Sequence, residues 1–231
     1  MTAAATLLVV AKAPVPGLVK TRLTPRLTPD EAAAVAAAAL LDTMDLVRAV
    51  SARTGSRIVV ALAGDLAAAP ARAAVRRALA GLVVVDQRGD GLAARLAHAH
   101  LTAAGALGPC VQIGMDSPHA PVAVLVETCA LVTAGDGPDV VLGPAADGGW
   151  WCLGLRRAGD ARHLTGVTMS TARTGAETEQ AFRAAGRAVV RTATVNDLDT
   201  VADLATVAAA APDSRVAALA AVLAPTPESA R

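Results

Sequence analysis

The apolar run LLVV at Leu7–Val10 leads directly into AKAPVPGLVKTRL at residues 11–23. The run predicts a buried strand, and the two prolines and one glycine after it predict a loop. A loop that only turned the chain would not need the three cations Lys12, Lys20 and Arg22. Lysine and arginine donors suit phosphate oxygens, and a glycine lets a ligand approach the backbone. The stretch therefore indicates either a phosphate site or a solvated loop with scattered cations, and its spacing alone does not choose between them.

The composition restricts the class of protein. The chain has 231 residues, which suits one α/β domain, and alanine inflates its hydrophobic fraction of 54%. A net charge of +1 argues against a nucleic-acid surface and against polybasic attachment to a membrane. No apolar run reaches the roughly 20 residues of a spanning helix, and the first strand lacks the flanks of a secretory signal. We therefore expect a cytoplasmic protein without a nucleic-acid or membrane partner.

Short β-branched runs alternate with longer alanine-rich segments along the chain. The predicted strands are Leu7–Ala11, Arg57–Leu62, Leu82–Asp86, Cys110–Gly114, Asp139–Gly143, Trp150–Leu155 and Ala188–Thr192. The predicted helices are Pro29–Val50, Leu66–Ala80, Gly91–Ala104, Pro121–Thr133, Gly175–Ala185, Thr200–Ala210 and Ser214–Leu223. Continuously apolar strands are typical of a mostly parallel sheet with helices on both faces. We expect one such α/β domain over residues 1–223 and a flexible tail over residues 224–231.

Asp116 and Asp199 both come after predicted strands. In such folds ligands bind beyond the carboxyl ends of the strands, so both residues are candidates for the binding site. Asp116 comes after the fourth strand, where a carboxylate could hold Mg²⁺ against phosphates or could cap the helix that follows. Asp199 lies just before the helix at Thr200–Ala210 and could cap it or join Asp116 as a second metal ligand. For Asp199, capping is the simpler interpretation of the sequence.

After the fifth strand comes Asp147-Gly148-Gly149, followed by Trp150-Trp151. The paired glycines permit a ligand to lie against the backbone, and the Asp147 carboxylate can accept from hydroxyls. Neighbours on a strand point to opposite faces, so one tryptophan is predicted to fill the core. The other is predicted to stack on a sugar or base. We expect Trp150 to face the ligand, because it is nearer to the turn.

The histidines and cysteines predict no metal or disulfide chemistry. His98 and His100 lie two apart on a predicted helix, so they face different directions. The three cysteines are odd in number and form no CxxC pair, which is typical of buried, reduced thiols.

Six segments of the chain occur in the order of a known bacterial family. They are KAPVPGLVKTRL, QRGDGLAARL, IGMDSP, LGPAADGGWW, MST and NDLDTVADL, at residues 12–23, 87–96, 113–118, 142–151, 169–171 and 196–204. Through them the chain resembles, from about Leu7 to Leu204, the glycosyltransferase-A-type family DUF2064. Its members are described as radical-SAM/selenodomain-associated or arsenosugar-biosynthesis transferases. The resemblance implies a nucleotide-diphospho-sugar transferase fold, related to sugar nucleotidyltransferases and to phospholactate guanylyltransferase.

The resemblance also implies roles for individual residues. It places the nucleotide on Lys12, Pro14, Gly17, Lys20, Arg22, Gln87 and Arg95. It implies that Mg²⁺ or Mn²⁺ binds Asp116 and Asp199, and that the sugar or acceptor lies beside Asp147, Gly148, Gly149 and Trp150. Catalysis would use Asp147, Lys20 and Arg22. The chain has Gly91, Ala93, Met115 and Met169 where the family usually has Asp, Gly, Thr and Trp, and Trp150-Trp151 replaces Tyr-Tyr.

The function implied by the resemblance is a metal-dependent glycosyltransferase. It would move a sugar from a nucleotide-diphosphate sugar to a small-molecule acceptor. A nucleotidyltransferase that releases pyrophosphate from a nucleoside triphosphate is the first alternative. A protein that binds nucleotides without turnover is the second, and the departures at Gly91, Ala93 and Met169 motivate it.

Overall fold

Seven strands form one sheet in the computed structural model, which describes residues 4–24 and 26–223. They are β1 Thr6–Lys12, β2 Arg57–Ala63, β3 Val83–Asp86, β4 Cys110–Gly114, β5 Val140–Pro144, β6 Trp150–Leu155 and β7 Val189–Arg191. Their order across the sheet is β3-β2-β1-β4-β6-β5-β7. Strand β6 runs antiparallel to β4 and β5, and the other neighbouring pairs are parallel. The predicted α/β fold with a mostly parallel sheet is confirmed.

The helices follow the predicted order along the chain. They are α1 Pro29–Thr54, α2 Arg72–Leu79, α3 Gly91–Ala104, α4 Val122–Thr133, α5 Thr174–Ala184, α6 Val201–Ala210 and α7 Arg215–Leu223. At the start of α1, Thr28 accepts from the Glu31 backbone N–H and the Glu31 carboxylate accepts from the Thr28 N–H. This reciprocal capping explains why α1 begins where its sequence predicts. The expected tail at residues 224–231 lies outside the described residues.

One helical prediction was wrong, and one helical segment was not predicted. The helix expected over Leu66–Ala80 is divided into a 3₁₀ turn, Leu66–Ala68, and α2. Pro70 lies between the two pieces and has no N–H to continue the ladder. A nine-residue 3₁₀ helix at Ala158–Gly166 was not predicted. Its buried residues include Ala158, Ala161 and Leu164, and this spacing of three matches the 3₁₀ period, which a search for the α-helical period misses.

The sheet is covered on both faces, and successive residues of β1 pack on opposite sides. Leu7 and Val9 pack in the cluster that contains α1 and α4, whereas Leu8 packs in a cluster with α3. Because β1 and β4 are parallel neighbours, with Val10 beside Gly114, the loops after both strands leave the sheet at the same edge. That edge carries the candidate site. None of the helices within the described ranges is long and apolar enough to cross a membrane.

Candidate active site

A cavity of about 690 Å³ lies at the carboxyl ends of β1 and β4. Its walls come from the loop after β1, the start of α3, the segment after β4, the turn before β6 and residues 169–174. The structure brings most of the predicted site residues to these walls, namely Lys12, Lys20, Arg22, Gln87, Arg95, Asp116, Asp147, Gly149, Trp150 and Asp199. Pro14, Gly17 and Gly148 do not line the cavity.

Lys20 lies among three oxygen acceptors. Its Nζ is 2.5 Å from Asp116 Oδ1 and 3.2 Å from Asp199 Oδ1, and it also donates to the carbonyl of Leu198. The Lys20 side chain is only 5% exposed. Burial by itself lowers the pKa of Lys20, but the two carboxylates outweigh burial and raise the pKa above its ordinary value. The ammonium is therefore charged and paired.

The loop after β1 has a backbone that turns sharply to deliver Lys20. Gly17 and Lys20 have φ values of 76° and 49°, both in the left-handed region. Glycine adopts this region without steric cost, whereas a residue with a side chain loses roughly 1–2 kcal/mol. Gly17 therefore serves the turn, and the ion pairs of Lys20 help to hold its less favourable backbone. A short 3₁₀ helix, Thr21–Leu23, follows immediately.

Two buried leucines anchor the loops that carry the charged residues. Leu23 follows Arg22, and Leu198 precedes Asp199; both leucines are fully buried in one apolar cluster with α1, α6 and α7. Arg22 Nη1 lies 2.8 Å from Asp199 Oδ2. Packing of the two leucines thus sets the distance between the cationic loop and the Asp199 carboxylate, which lies between Lys20 and Arg22.

Neither Asp116 nor Asp199 caps a helix, so both capping alternatives are wrong. The cap of α6 is Thr200, whose side chain accepts from the backbone N–H of Asp203 while the Asp203 carboxylate accepts from Thr200. Helix α4 follows Pro121 and has no side-chain cap. Thr200 competes with Asp199 for the same position, and its placement frees the Asp199 carboxylate to face Lys20.

Asp197 and Ser117 line the cavity and were not predicted. Ser117 Oγ donates to Asp197 Oδ1 over 2.5 Å. Burial raises the pKa of Asp197 to about 7; the Ser117 hydrogen bond opposes this rise, and the nearby carboxylates of Asp116, Asp147 and Asp199 add to it. Four aspartates therefore share the site with the cations of the β1 loop. The signal was present in the run NDLD, which places a second aspartate two residues before Asp199.

The carboxylates of Asp116 and Asp199 have the chemistry of a magnesium or manganese site. Mg²⁺ uses oxygen ligands, and one or two carboxylates plus substrate phosphates are its usual protein environment. Their side chains are 42% and 33% exposed, and the Lys20 ammonium lies against both. Within residues 4–24 and 26–223, no three His, Cys, Asp or Glu side chains converge as a complete metal cage. The pair fits a cation that phosphate oxygens also hold, provided that Lys20 moves away from the two carboxylates.

The turn before β6 is closed by Asp147. Its Oδ1 accepts from the backbone N–H of Gly149 over 2.8 Å. Gly148 has a φ of 89°, and a side chain there would collide with the carbonyl of Ala172. The backbone of Gly175 also donates to the carbonyl of Gly148 over 2.8 Å. Gly148 thus allows close packing of the turn on residues 169–175, the segment that forms one wall of the cavity.

Trp150 and Trp151 lie on opposite faces of the sheet, as predicted. Trp151 is 2% exposed in the cluster with α1 and α4, and its Nε1 donates to the carbonyl of Ala193. Trp150 is partly buried on the other face, lines the cavity, and donates from Nε1 to Thr178 Oγ1 over 3.2 Å. A bulge at Trp151 interrupts the pairing of β6 with β5. The hydrogen bond from Trp150 to Thr178 fixes the polar edge of the Trp150 ring.

Gln87 and Arg95 line the cavity where the resemblance implies that the nucleotide binds. Some of their N–H groups already donate to carbonyls of the protein. Gln87 Nε2 donates to the carbonyls of Ala11 and Ala61, 2.8 and 2.9 Å away, and so ties the ends of β1 and β2 together. Arg95 Nε donates to the carbonyl of Gly91 over 3.2 Å. Gln87 therefore stabilises this edge of the sheet, whatever contact it makes with a ligand.

Comparison with known families gives one match. The profile described as "Uncharacterized protein conserved in bacteria (DUF2064)" matches residues 45–171, which is more than half of the chain. No curated protein sequence matches the chain.

Solved structures share the fold. A protein of Desulfovibrio desulfuricans G20, provisionally named a nucleotide-diphospho-sugar transferase, is 25% identical, with 93% of both chains covered and a TM-score of 0.74. CMP:2-keto-3-deoxy-manno-octonic acid synthetase, solved with CTP, is 13% identical over 90% of this chain and 98% of its own, with a TM-score of 0.53. Rv0371c of Mycobacterium tuberculosis H37Rv, solved with manganese, is 20% identical over 88% and 97%, with a TM-score of 0.48. The second likeness concerns the fold alone, and the third is too distant to support an argument about this chain.

Proposed function

This chain belongs to the DUF2064 family, and on that premise we propose that it is a metal-dependent glycosyltransferase. It would transfer a sugar from a nucleotide-diphosphate sugar to a small-molecule acceptor. The likeness to the Desulfovibrio protein supports a nucleotide-dependent transferase. The observation that carries the metal-dependent part of the proposal is the group formed by Lys20, Asp116 and Asp199 in the cavity wall.

The charges of this group favour a diphosphate that arrives with a cation. Lys20 and Arg22 can donate to phosphate oxygens, but each already contacts an aspartate. A diphosphate alone would bring further negative charge beside Asp116 and Asp199. A divalent cation between these carboxylates and the phosphates would remove that repulsion and release Lys20 toward the phosphates.

The residues of the β1 loop would act on the leaving group. Breaking the sugar–phosphate bond makes negative charge grow on the departing diphosphate, and the cations of Lys20 and Arg22 would stabilise that charge more in the transition state than in the ground state. When bound, Mg²⁺ or Mn²⁺ on Asp116 and Asp199 would supply Lewis-acid stabilisation of the same charge. Asp147 would bind a hydroxyl of the sugar or acceptor.

The remaining proposed contacts surround this centre. The nucleotide would lie along Lys12, Gln87 and Arg95, with Pro14 and Gly17 shaping the loop behind it. The sugar or acceptor would lie against Gly149 and the ring of Trp150, with Gly148 supporting the turn. Aromatic rings bind the apolar faces of sugars and bases well, which is the reason for placing Trp150 there.

A nucleotidyltransferase is the second candidate. The same loop would then hold the pyrophosphate that leaves a nucleoside triphosphate, because the donors of Lys20 and Arg22 suit either leaving group. The products separate the two reactions: a nucleoside diphosphate from a nucleotide sugar supports the glycosyltransferase, and pyrophosphate from a triphosphate supports the alternative. Multiple turnovers of either kind exclude a protein that only binds nucleotides.

The first experiment is a thermal-shift panel of nucleotide sugars and nucleoside triphosphates, with Mn²⁺ and with chelator. A ligand at 100 times its dissociation constant adds about 2.7 kcal/mol to the free energy of unfolding, which raises the melting temperature measurably. We expect at least one nucleotide sugar to stabilise the protein in Mn²⁺ and to lose that effect in chelator. A panel in which no compound stabilises the protein contradicts the proposal.

A further inference from the structure

The side chain of Gln112 lies on the sheet side of the cavity, away from the group formed by Lys20, Asp116 and Asp199. Gln112 belongs to β4, is 3% exposed, and still lines the cavity. Its Oε1 is 2.9 Å from Nε2 of His100, a fully buried residue of α3. Gly114, two residues further along the strand and about 7 Å away at the usual rise, leads to Asp116. Gln112 therefore lies deeper in the cavity than the proposed phosphate site.

The surroundings of His100 decide which end of the Gln112 amide faces the cavity. His100 Nδ1 is buried and has no hydrogen-bond partner in the described part of the chain. A buried N–H without an acceptor is rarer in proteins than an unused acceptor, so the proton belongs on Nε2. Nε2–H then donates to Gln112 Oε1. Burial also lowers the pKa of His100 to about 4, which keeps the ring neutral near pH 7.

This arrangement leaves the NH₂ group of Gln112 without a protein acceptor. Among residues 4–24 and 26–223, the hydrogen bond to His100 is the one that the Gln112 side chain makes. The cavity lining includes the apolar side chains of Leu92, Leu96 and Trp150, and Leu96 lies one helical turn before His100 on α3. Buried donors are nearly always satisfied, by protein, by water or by a ligand. A donor fixed in a cavity wall is also an effective means of selecting a ligand, because a ligand without the matching acceptor leaves the donor unpaired.

We propose that the Gln112 amide is a specificity-determining donor that binds an oxygen acceptor of the nucleotide sugar, with His100 as its positioning residue. The acceptor is a carbonyl or hydroxyl oxygen, which can belong to the nucleoside or to the sugar. This inference rests on the proposed function and deepens it. The NH₂ group of Gln112 excludes ligands that present an N–H group toward it.

The test compares the wild type with Gln112→Met, which keeps the length of the side chain and removes the donor. Titration calorimetry measures the affinity for the nucleotide sugar that stabilises the wild type most, and for its nucleoside diphosphate, both with Mn²⁺. We expect Gln112→Met to bind the nucleotide sugar about tenfold more weakly or worse, the effect of one lost buried hydrogen bond. An equal loss with the diphosphate assigns the acceptor to the nucleoside, and a loss confined to the nucleotide sugar assigns it to the sugar.

A matched control is Thr128→Val, a buried polar substitution on α4 whose hydroxyl donates only to the Val124 carbonyl of its own helix. We expect it to leave both affinities unchanged. Affinities within about twofold of wild type in a folded Gln112→Met variant would overturn the inference, because the amide then bonds water only. A wild type that binds no nucleotide sugar contradicts the proposed function instead, so the two failures are distinct.

The position of the His100 proton is measured without any ligand. ¹⁵N NMR of the free protein at pH 7 should show His100 protonated at Nε2, with Nδ1 bare. The Nδ1–H tautomer would turn the Gln112 amide round, present its oxygen to the cavity, and overturn the inference whatever the binding data show. This readout does not depend on whether Gln112→Met folds, because the NMR measurement is made on the wild type.

Discussion

Lys20 places an ammonium against the same two carboxylates that the proposed function gives to a divalent cation. With Nζ 2.5 Å from Asp116 and 3.2 Å from Asp199, Lys20 and a metal ion compete for these oxygens. We therefore expect Lys20→Met to bind Mn²⁺ more tightly than the wild type when no nucleotide is present, by about tenfold, because the variant removes a positive charge that repels Mn²⁺ and occupies both carboxylates. Nucleotide diphosphates should bind the variant more weakly. Mn²⁺ titration followed by electron paramagnetic resonance measures the first effect.

The control for this residue is Arg95→Met. Arg95 lines the same cavity but donates to the Gly91 carbonyl and makes no ion pair with these carboxylates. Its loss should leave Mn²⁺ affinity near that of wild type. If Lys20→Met binds Mn²⁺ no better than Arg95→Met does, then Asp116 and Asp199 are not metal ligands.

At the scale of single elements, β6 carries two tryptophans with separate tasks. Both residues border the cavity, but Trp151 is 2% exposed and packs in the core, whereas Trp150 is only partly buried. We expect Trp151→Ala to lower the free energy of unfolding by about 3–5 kcal/mol, the usual cost of removing a buried tryptophan. Trp150→Ala should weaken ligand binding by on the order of 1 kcal/mol. Calorimetric binding and chemical unfolding of both variants test this, and two variants that lose only stability would remove Trp150 from the site.

His100, on helix α3, has a pKa that burial lowers far below the ordinary value of histidine. Burial lowers the pKa of His100 from 6.5 to about 4, and the Gln112 hydrogen bond only partly opposes this. Below pH 6.5 the unfolded chain therefore takes up a proton that the folded chain refuses, so stability falls as the pH drops toward 4. At about 1.4 kcal/mol per pH unit, this residue costs about 3 kcal/mol over that interval. Urea unfolding of wild type and His100→Gln at pH 7 and pH 4.5 should show a smaller acid loss in the variant; equal losses would contradict the assignment.

The elements differ in how far their sequence predicts them. Runs such as Leu7–Val10 and Arg57–Leu62 predict strands reliably, because buried parallel strands are nearly continuous apolar runs. The 3₁₀ helix Ala158–Gly166 was missed because its spacing of three lacks an α-helical stripe. The sequence around Asp199 favours a cap over a metal ligand because Asp and Thr both cap helices well, and only packing decides that Thr200 takes the capping position.

At the scale of the whole molecule, the site joins parts of the chain that lie far apart in sequence. Lys20 and Asp199 are separated by 179 positions, and the backbone N–H of Leu198 donates to the carbonyl of Asp116 over 2.8 Å. Sheet topology brings these loops together, since β1 and β4 are parallel neighbours. The separate residues could be predicted from their motifs. Their pairing with one another, and the exposure of Gln112 to the same cavity, could not, because both depend on the tertiary register of the strands.

The proposed function depends on a metal-dependent transfer from a nucleotide sugar at the Asp116–Lys20–Asp199 group. The most direct measurement is release of nucleoside diphosphate from the nucleotide sugar that binds best, by wild type and by Asp116→Asn, in Mn²⁺ and in chelator. We predict release by the wild type in Mn²⁺, none in chelator, and a rate for the variant lower by about 2–4 kcal/mol of transition-state stabilisation, which is roughly 30- to 900-fold. Release that is equal in chelator, or equal in a folded Asp116→Asn variant, would contradict the proposed function.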